Sequence, residues 1–147
     1  MSQGYKLIRN PSDTQAEPLR ISGITVALND LLERTAGSTT WALTTSSTDY
    51  FTQKAVAIES ATTNDTEVQA IRVDMDQKWE AEGGSSSDIA DDGDRMAATD
   101  ENTVNNSGSD VTQQAVVFVQ DGIIGPAADN RIVGNILVGN GVDPDVS

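Results

Sequence analysis

Residues 114–138, QAVVFVQDGIIGPAADNRIVGNILV, decide the expected fold of this chain. They contain two short apolar runs, residues 115–119 and 132–138, separated by a stretch rich in turn-forming residues. Both runs are short and rich in β-branched residues, and Gly, Asp and Asn bound them. Such runs are typical of buried strands rather than helices. The segment therefore predicts two buried strands joined by a turn.

The first of these runs has apolar residues on both faces. Alternation along a strand places Val116 and Phe118 on one face and Val117 and Val119 on the other. A strand with two apolar faces is typical of the centre of a layered fold or of a surface covered by another subunit. We expect Val116 and Phe118 to lie in the core, and Val117 and Val119 are candidate partner-binding residues.

Further alternating runs predict short strands along the rest of the chain. These runs are residues 21–28, 39–45, 54–59, 67–75, 78–82, 95–98 and 102–104. Residues 29–37, NDLLERTAG, fit either a strand followed by a turn or one helical turn between Asn29 and Gly37. Closely spaced short strands without a convincing helix predict an all-β fold, a small barrel or sandwich.

The same pattern sets the expected boundaries and core. We expect an extended N-terminal arm at residues 1–20, a β domain at residues 21–138 and a flexible tail at residues 139–147. The arm is either disordered or ordered against a partner, and Tyr5, Leu7 and Ile8 are its predicted anchors. The predicted core is Ile24, Val26, Trp41, Val56, Ile58, Ile71, Val73, Trp79, Val116, Phe118, Ile132 and Ile136.

Composition argues against catalysis. The 147 residues include no cysteine and no histidine, which excludes disulfides, thiolate nucleophiles, cysteine-bound zinc and Ser-His-Asp sites. Carboxylates at alternate strand positions, such as Asp74 and Asp76, arise by chance in a chain with 23 acidic residues. We therefore expect a protein that is not an enzyme and needs no cofactor.

The chain is strongly acidic. Its 23 Asp and Glu residues against nine Lys and Arg residues give a formal net charge of −14. This charge repels phosphate groups, so neither nucleic acid nor an anionic membrane is an expected partner. An acidic surface with few lysines would also keep the protein soluble in concentrated salt. No run has transmembrane length, and residues 1–10 are too polar for a signal peptide.

One acidic loop resembles a metal site only in part. Residues 83–94, GGSSSDIADDGD, contain Asp88, Asp91, Asp92 and Asp94, whose oxygens suit calcium. Their spacing is not that of an EF-hand, which needs oxygen ligands at alternate positions and a distant bidentate Glu. We expect a solvated acidic loop, calcium binding being the open alternative, and assign no metal ligand.

The aromatic residues allow a second functional interpretation. Trp41 or Tyr50 could hold a glycan by stacking, as in an adhesive domain of a fibre or tail component. However, Trp41 and Trp79 each lie in phase with apolar neighbours on their predicted strands. This pattern favours packing in the core or at a subunit interface.

Four stretches occur in an order that is similar to a known family. They are SGITVALNDLLERTAGSTTWALTT, EVQAIRVDMDQKWEAE, DGDRMAATDENTVNNSGSD and QAVVFVQDGIIGPAADNRIVGNIL. The pattern is a strand around Trp79, an acidic glycine loop into residues 94–96, an Asn-rich turn at 105–106, the apolar strand 116–118 and DNRIVG at 129–134. Over residues 23–137 it resembles the head decoration, or capsid cement, proteins of tailed viruses, particularly phages of saline settings.

This resemblance implies a structural virion protein. Its expected fold is a small β-barrel or β-tulip, and its expected place is the exterior of the capsid after synthesis in the host cytoplasm. The expected partners are the major capsid protein and two further copies of the chain, as a homotrimer. Such a protein would stabilise the assembled shell by bridging neighbouring capsid subunits. A tail or connector component is a further alternative, separable by its copy number per particle.

Overall fold

Antiparallel strands make up the regular structure of the chain. The computed structural model describes residues 4–83, 95–105, 115–124 and 130–140, with the backbone alone at residues 115 and 121–124. Within these residues it has eleven strands, all paired antiparallel, and no helix. The predicted all-β class is confirmed.

The strands form two sheets. The six-stranded sheet has the order β1 (Lys6–Arg9), β7 (Lys78–Glu82), β11 (Arg131–Ile136), β10 (Ala115–Ile124), β8 (Arg95–Ala98) and β9 (Val104–Asn105). The five-stranded sheet has the order β2 (Ala16–Arg20), β6 (Glu67–Arg72), β5 (Gln53–Ala57), β3 (Leu31–Arg34) and β4 (Ala42–Leu43). The two strands predicted from residues 114–138 therefore lie side by side at the centre of the larger sheet.

A β-bulge in β10 determines which valines face the interior. Val117 pairs with Met96 and Ala115 pairs with Ala97, so β10 has one more residue than β8 at this point. The extra residue breaks the alternation, and both Val116 and Val117 pack into the core. The strand then continues to Ile124, so residues 121–124, predicted to begin the turn, belong to β10.

The main apolar core lies between the two sheets. The six-stranded sheet contributes, among others, Trp79, Ala81, Met96, Val117, Val119, Ile132 and Ile136. The five-stranded sheet and its flanks contribute Leu31, Val56 and Val73. Burying one such aliphatic side chain contributes about 1.5–3 kcal/mol, which makes this shared core the main source of stability.

A second core covers the opposite face of the five-stranded sheet. Leu31 faces the other sheet, whereas its neighbour Leu32 faces this second core, and both are fully buried. Around Leu32 lie the small side chains Ala55, Ala57 and Ala70. Ile21, Val26 and Trp41 cover this layer. The central strands of this sheet are therefore buried on both faces within one chain.

The predicted core is correct at most positions. Val26, Trp41, Val56, Val73, Trp79, Val116, Ile132 and Ile136 are buried, and Ile24 and Ile71 are half-buried against the two cores. Phe118 is half-buried but belongs to neither core, because the bulge turns it to the opposite side from Val117 and Val119, which corrects its predicted place. Ile58 is 44% exposed because β5 ends at Ala57, one residue earlier, which corrects its assignment to the core. In residues 21–28 only Val26 makes a β-bridge, with Ala61, so the predicted strand is absent. Residues 31–34 form a strand, so the helical turn is not formed.

The N-terminal segment corrects the predicted boundary at residue 20. Instead of an arm outside the domain, residues 6–9 and 16–20 form the edge strands β1 and β2 of the two sheets. The Tyr5 amide donates to the Asn29 carbonyl at 3.0 Å, and Gly4 lies so close to that carbonyl that a Cβ would be 2.5 Å from its oxygen. At the other end, the Gly139 amide donates to the Thr52 carbonyl, whereas residues 141–147 of the predicted tail lie outside the described residues.

Replacement of Gly134 by alanine tests the central strand pairing. A Cβ at Gly134 would lie 2.3 Å from the Phe118 carbonyl oxygen, so the backbone of β10 or β11 must move. We expect Gly134→Ala to lower the free energy of unfolding in urea by about 2–3 kcal/mol. Gly23→Ala is the control: its φ is +67°, but nothing lies within 4 Å of an added Cβ. It should cost about 1 kcal/mol, and an equal or smaller loss at Gly134 would contradict the pairing.

Candidate binding surface

The predicted partner-binding residues are divided between interior and surface. Tyr5, Val117 and Val119 are 1%, 1% and 0% exposed and belong to the core between the sheets. Val119 pairs with Gly134, on the side of the sheet that carries Trp79, and this side faces the five-stranded sheet. These three side chains are therefore buried by their own chain, which corrects their expected place at the surface. Leu7 is half-buried against the core, and Ile8 is 51% exposed.

The opposite side of the six-stranded sheet forms a broad surface, here called the outer sheet face. One row crosses it from strand to strand: Arg9 pairs with Lys78, Asn135 pairs with Phe118, and Phe118 pairs with Arg95. The Gln120 amide donates to Asn135 Oδ1 at 2.5 Å and so lies on the same side. The outer sheet face comprises Lys6, Arg9, Lys78, Glu80, Glu82, Arg95, Phe118, Gln120, Asp121, Val133 and Asn135.

A buried lysine holds the loop before β5 in place. Lys54 is 2% exposed, and its Nζ donates to the carbonyls of Asp49 (2.9 Å), Thr52 (3.2 Å) and Tyr50 (3.4 Å). Burial lowers the pKa of Lys54 to about 7, although the nearby Glu33 and Asp49 carboxylates oppose the shift. The amine is surrounded by loop carbonyls and closed to solvent, so it is suited to holding residues 49–52 rather than to attacking a substrate.

Glu33, opposite Lys54 on β3, completes this polar cluster. Their Cα atoms are cross-strand partners, and the Thr48 hydroxyl donates to Glu33 Oε2. Burial raises the pKa of Glu33, while the Thr48 hydrogen bond and the Lys54 charge lower it. The carboxylate therefore links β3 to the same loop from the other side.

A second buried cation secures the N-terminus. Arg131 is 3% exposed; its Nε lies 2.6 Å from Glu80 Oε1, and its Nη1 donates to the Gly4 carbonyl at 3.0 Å. Burial and the charge of Asp100 raise the pKa of Tyr5, whereas Arg131 lowers it. Arg131 Nη2 and Tyr5 Oη are buried and find no hydrogen-bond partner among the described residues. Arg131 is thus used to connect β11, β7 and the segment before β1.

Both tryptophans pack in the interior of the protein. Trp41 is 3% exposed, and the guanidinium carbons of Arg34 and Arg72 lie 5.0 and 5.3 Å from its ring centroid. Such cation–π contacts fix the indole on the five-stranded sheet. Trp79 is also buried, and its Nε1 donates to Gln77 Oε1 at 3.1 Å. Neither ring is open to stack on a glycan, so the predicted core role of both is confirmed.

The structure has a groove at the edge of the five-stranded sheet that the sequence did not predict. Its volume is about 710 Å³, and it lies between β2, the start of β6 and the residues before Trp41. Four of its eight lining residues carry hydroxyl groups, and Arg20 and Glu67 in the lining are cross-strand partners. Its residues are Pro18, Arg20, Ile21, Ser22, Thr39, Thr40, Thr66 and Glu67. Since these come from separate segments, only the folded chain brings them together.

The described residues contain no cluster suited to a metal ion, and the aspartates of the predicted acidic loop lie outside them. Asp88, Asp91, Asp92 and Asp94 lie outside them, and the remaining residues contain no group of three His, Cys, Asp or Glu suited to a metal ion. Asp74 is exposed and accepts a hydrogen bond from the Thr14 hydroxyl at 2.9 Å. Within the same residues, no helix is long and apolar enough to cross a membrane.

Comparison with known proteins leaves the chain without an assigned family. No protein-family model matches it, and a search of curated proteins finds no significant match. The functional argument therefore depends on the residues themselves and on the geometry described above.

The buried Lys54 should make the free energy of unfolding depend on pH in the alkaline range. The pKa of Lys54 is lower in the folded chain than in the unfolded chain, so between pH 7 and 10 the unfolded state binds more protons. The free energy of unfolding should therefore rise with pH relative to that of Lys54→Met, by at most about 1.4 kcal/mol per pH unit. Below pH 7 the difference between the two proteins should be constant.

Urea unfolding of both proteins across this pH range measures the effect. Lys78→Met, which removes a half-exposed lysine from β7, is the matched control. A pH-independent difference between the wild type and Lys54→Met would show that the buried amine keeps its proton throughout the range.

Proposed function

We propose that this protein is a structural component of a virion. It would bind the outer surface of an assembled tailed-virus capsid and stabilise it by bridging subunits of the major capsid protein. The order of motifs over residues 23–137 supports the capsid as the partner, and the all-β fold agrees with the architecture expected from that resemblance. The strong negative charge argues against nucleic acid as the target.

A binding role is supported by the structural contacts of the two buried cations. Lys54 and Arg131 are the buried cations among the described residues, and both are engaged by backbone carbonyls and lie beside a glutamate. These contacts connect loops and strands of the chain itself. They supply no accessible nucleophile or proton donor, so the exposed surface is left to perform the function.

Stabilisation would follow from preferential binding to the assembled shell. A ligand that binds the assembled state but not the free subunits shifts the disassembly equilibrium by mass action. Each copy needs only modest affinity, because many contacts around a shell act together. The exposed apolar side chains of Ile8, Leu28, Ile58 and Met75 are available for such contacts. A homotrimer would further increase the number of contacts each assembly makes.

A glycan-binding domain of a fibre or tail component is the second candidate. The hydroxyl-lined groove beside Arg20 and Glu67 favours it, because sugars are bound through networks of polar side chains. Trp41 and Trp79 are buried, so binding would take place in this groove without tryptophan stacking. Saturable binding to a glycan array, lost in Arg20→Ala, would support this candidate over the capsid proposal.

Counting copies per virus particle tests the capsid proposal. We expect hundreds of copies per particle, as many equivalent capsid sites require, and saturable binding to assembled capsids but not to free capsid protein. Particles lacking the protein should burst at a lower temperature and on dilution of salt. A dozen copies or fewer, or equal binding to unassembled subunits, would refute the proposal.

A further inference from the structure

The cations of this acidic chain are concentrated on one surface. Lys6, Arg9, Lys78 and Arg95, four of its nine cationic residues, lie on the outer sheet face. Among the described residues, the register places three acidic residues on this face: Glu80, Glu82 and Asp121, the cross-strand partner of Val133. Since Glu80 is already paired with the buried Arg131, the described residues of this face carry an excess of positive charge on a protein with a net charge of −14.

Three of these cations have no ion-pair partner among the described residues. Arg9 and Lys78 are direct cross-strand partners, and like charges in this position destabilise a sheet. Within the described part of the chain, Arg9, Lys78 and Arg95 make no ion pair. The Arg9–Lys78 pair therefore leaves two positive charges side by side, for which a carboxylate of a partner would be a favourable counterion.

The centre of the face is partly apolar. Phe118 and Val133 are half-buried, and Asn135 and Gln120 lie beside them with their amides hydrogen-bonded to each other. Arg95 lies on one side of Phe118, while Arg9 and Lys78 lie across the sheet on the other. An apolar centre within a charged rim is the usual arrangement of a protein-binding surface.

We propose that the outer sheet face docks a partner protein whose contact surface places Asp or Glu side chains around an apolar residue. The apolar residue would cover Phe118 and Val133, and the carboxylates would pair with Arg9, Lys78 and Arg95. Complementary rim charges set the orientation of docking and accelerate association. This inference does not rest on the capsid proposal.

A protein partner fits this surface better than nucleic acid does. A nucleic acid extends its negative charge far beyond the face, into the range where the remainder of the chain repels it. A protein surface presents a limited number of carboxylates, and screening beyond about 10 Å removes their interaction with the rest of the chain. Glu80 and Glu82 within the face also oppose a continuous row of phosphates.

The full-length chain and a synthetic peptide test the proposal. The peptide has a central leucine flanked by glutamates, a second peptide has glutamines in their place, and a short DNA duplex is the polyanion control. Amide chemical-shift changes identify the binding surface and give the affinity. The variant is Arg95→Glu, and its control is Thr63→Glu, which adds a glutamate at an exposed position before β6 of the other sheet.

We expect the glutamate peptide to shift amides of β1, β7, β10 and β11 and to bind more tightly than the glutamine peptide. Arg95→Glu should weaken binding about fivefold, and Thr63→Glu should leave it unchanged. Equal losses in both variants, shifts confined to other surfaces, or tighter binding of the duplex would overturn the proposal. Self-association of the chain that Arg95→Glu abolishes would replace the partner by a second copy, and would also overturn it.

Discussion

The close pairing of β10 with β11 is the constraint on which the rest of the structure depends. Gly134 allows the two backbones to approach, since any side chain at this position would meet the Phe118 carbonyl. Trp79, the cross-strand partner of Gly134 on β7, packs into the shared core. With this register fixed, Val117 and Val119 face the second sheet, while Phe118 and Asn135 face outward.

The five-stranded sheet is stabilised from both sides. One face packs on the six-stranded sheet, and the other is covered by Ile21, Val26 and Trp41. Buried charges then connect these layers to the loops and termini, through Lys54 at residues 49–52 and Arg131 at Gly4. One chain therefore covers both faces of the central strands of the five-stranded sheet, and it buries Val116, Val117 and Val119 of β10 without another subunit. The outer sheet face of the larger sheet is left uncovered by the described residues.

Continuous apolar runs made the centre of the fold predictable, whereas the edges and orientations were not. Residues 114–138 predicted two neighbouring buried strands because both are β-branched and bounded by turn residues. The edge strand β1 has only four residues, two of them charged, and β2 contains Pro18, which is tolerated at a sheet edge. Neither segment shows the alternation of apolar and polar residues that predicts a strand. The inward orientation of Val117 follows from pairing and a bulge, which depend on residues distant in the sequence.

The candidate docking face was hidden from the sequence for the same reason. Arg9, Lys78, Asn135, Phe118 and Arg95 come from five strands, and only the sheet register aligns them. Composition correctly indicated an acidic chain without cysteine or histidine, but it averages charge over the whole chain and conceals a local cationic surface. The burial of Tyr5 and Leu7, and the exposure of Ile8, depend on contacts with β7 and Asn29 that the sequence does not reveal.

Hydrogen exchange at the Val117 and Val119 amides, measured over a range of protein concentrations, tests most directly whether one chain buries its own central strands. If it does, both amides exchange only through global unfolding, and their protection is the same in dilute and concentrated solution. Protection that disappears on dilution would show that β10 depends on another subunit, and would contradict this account.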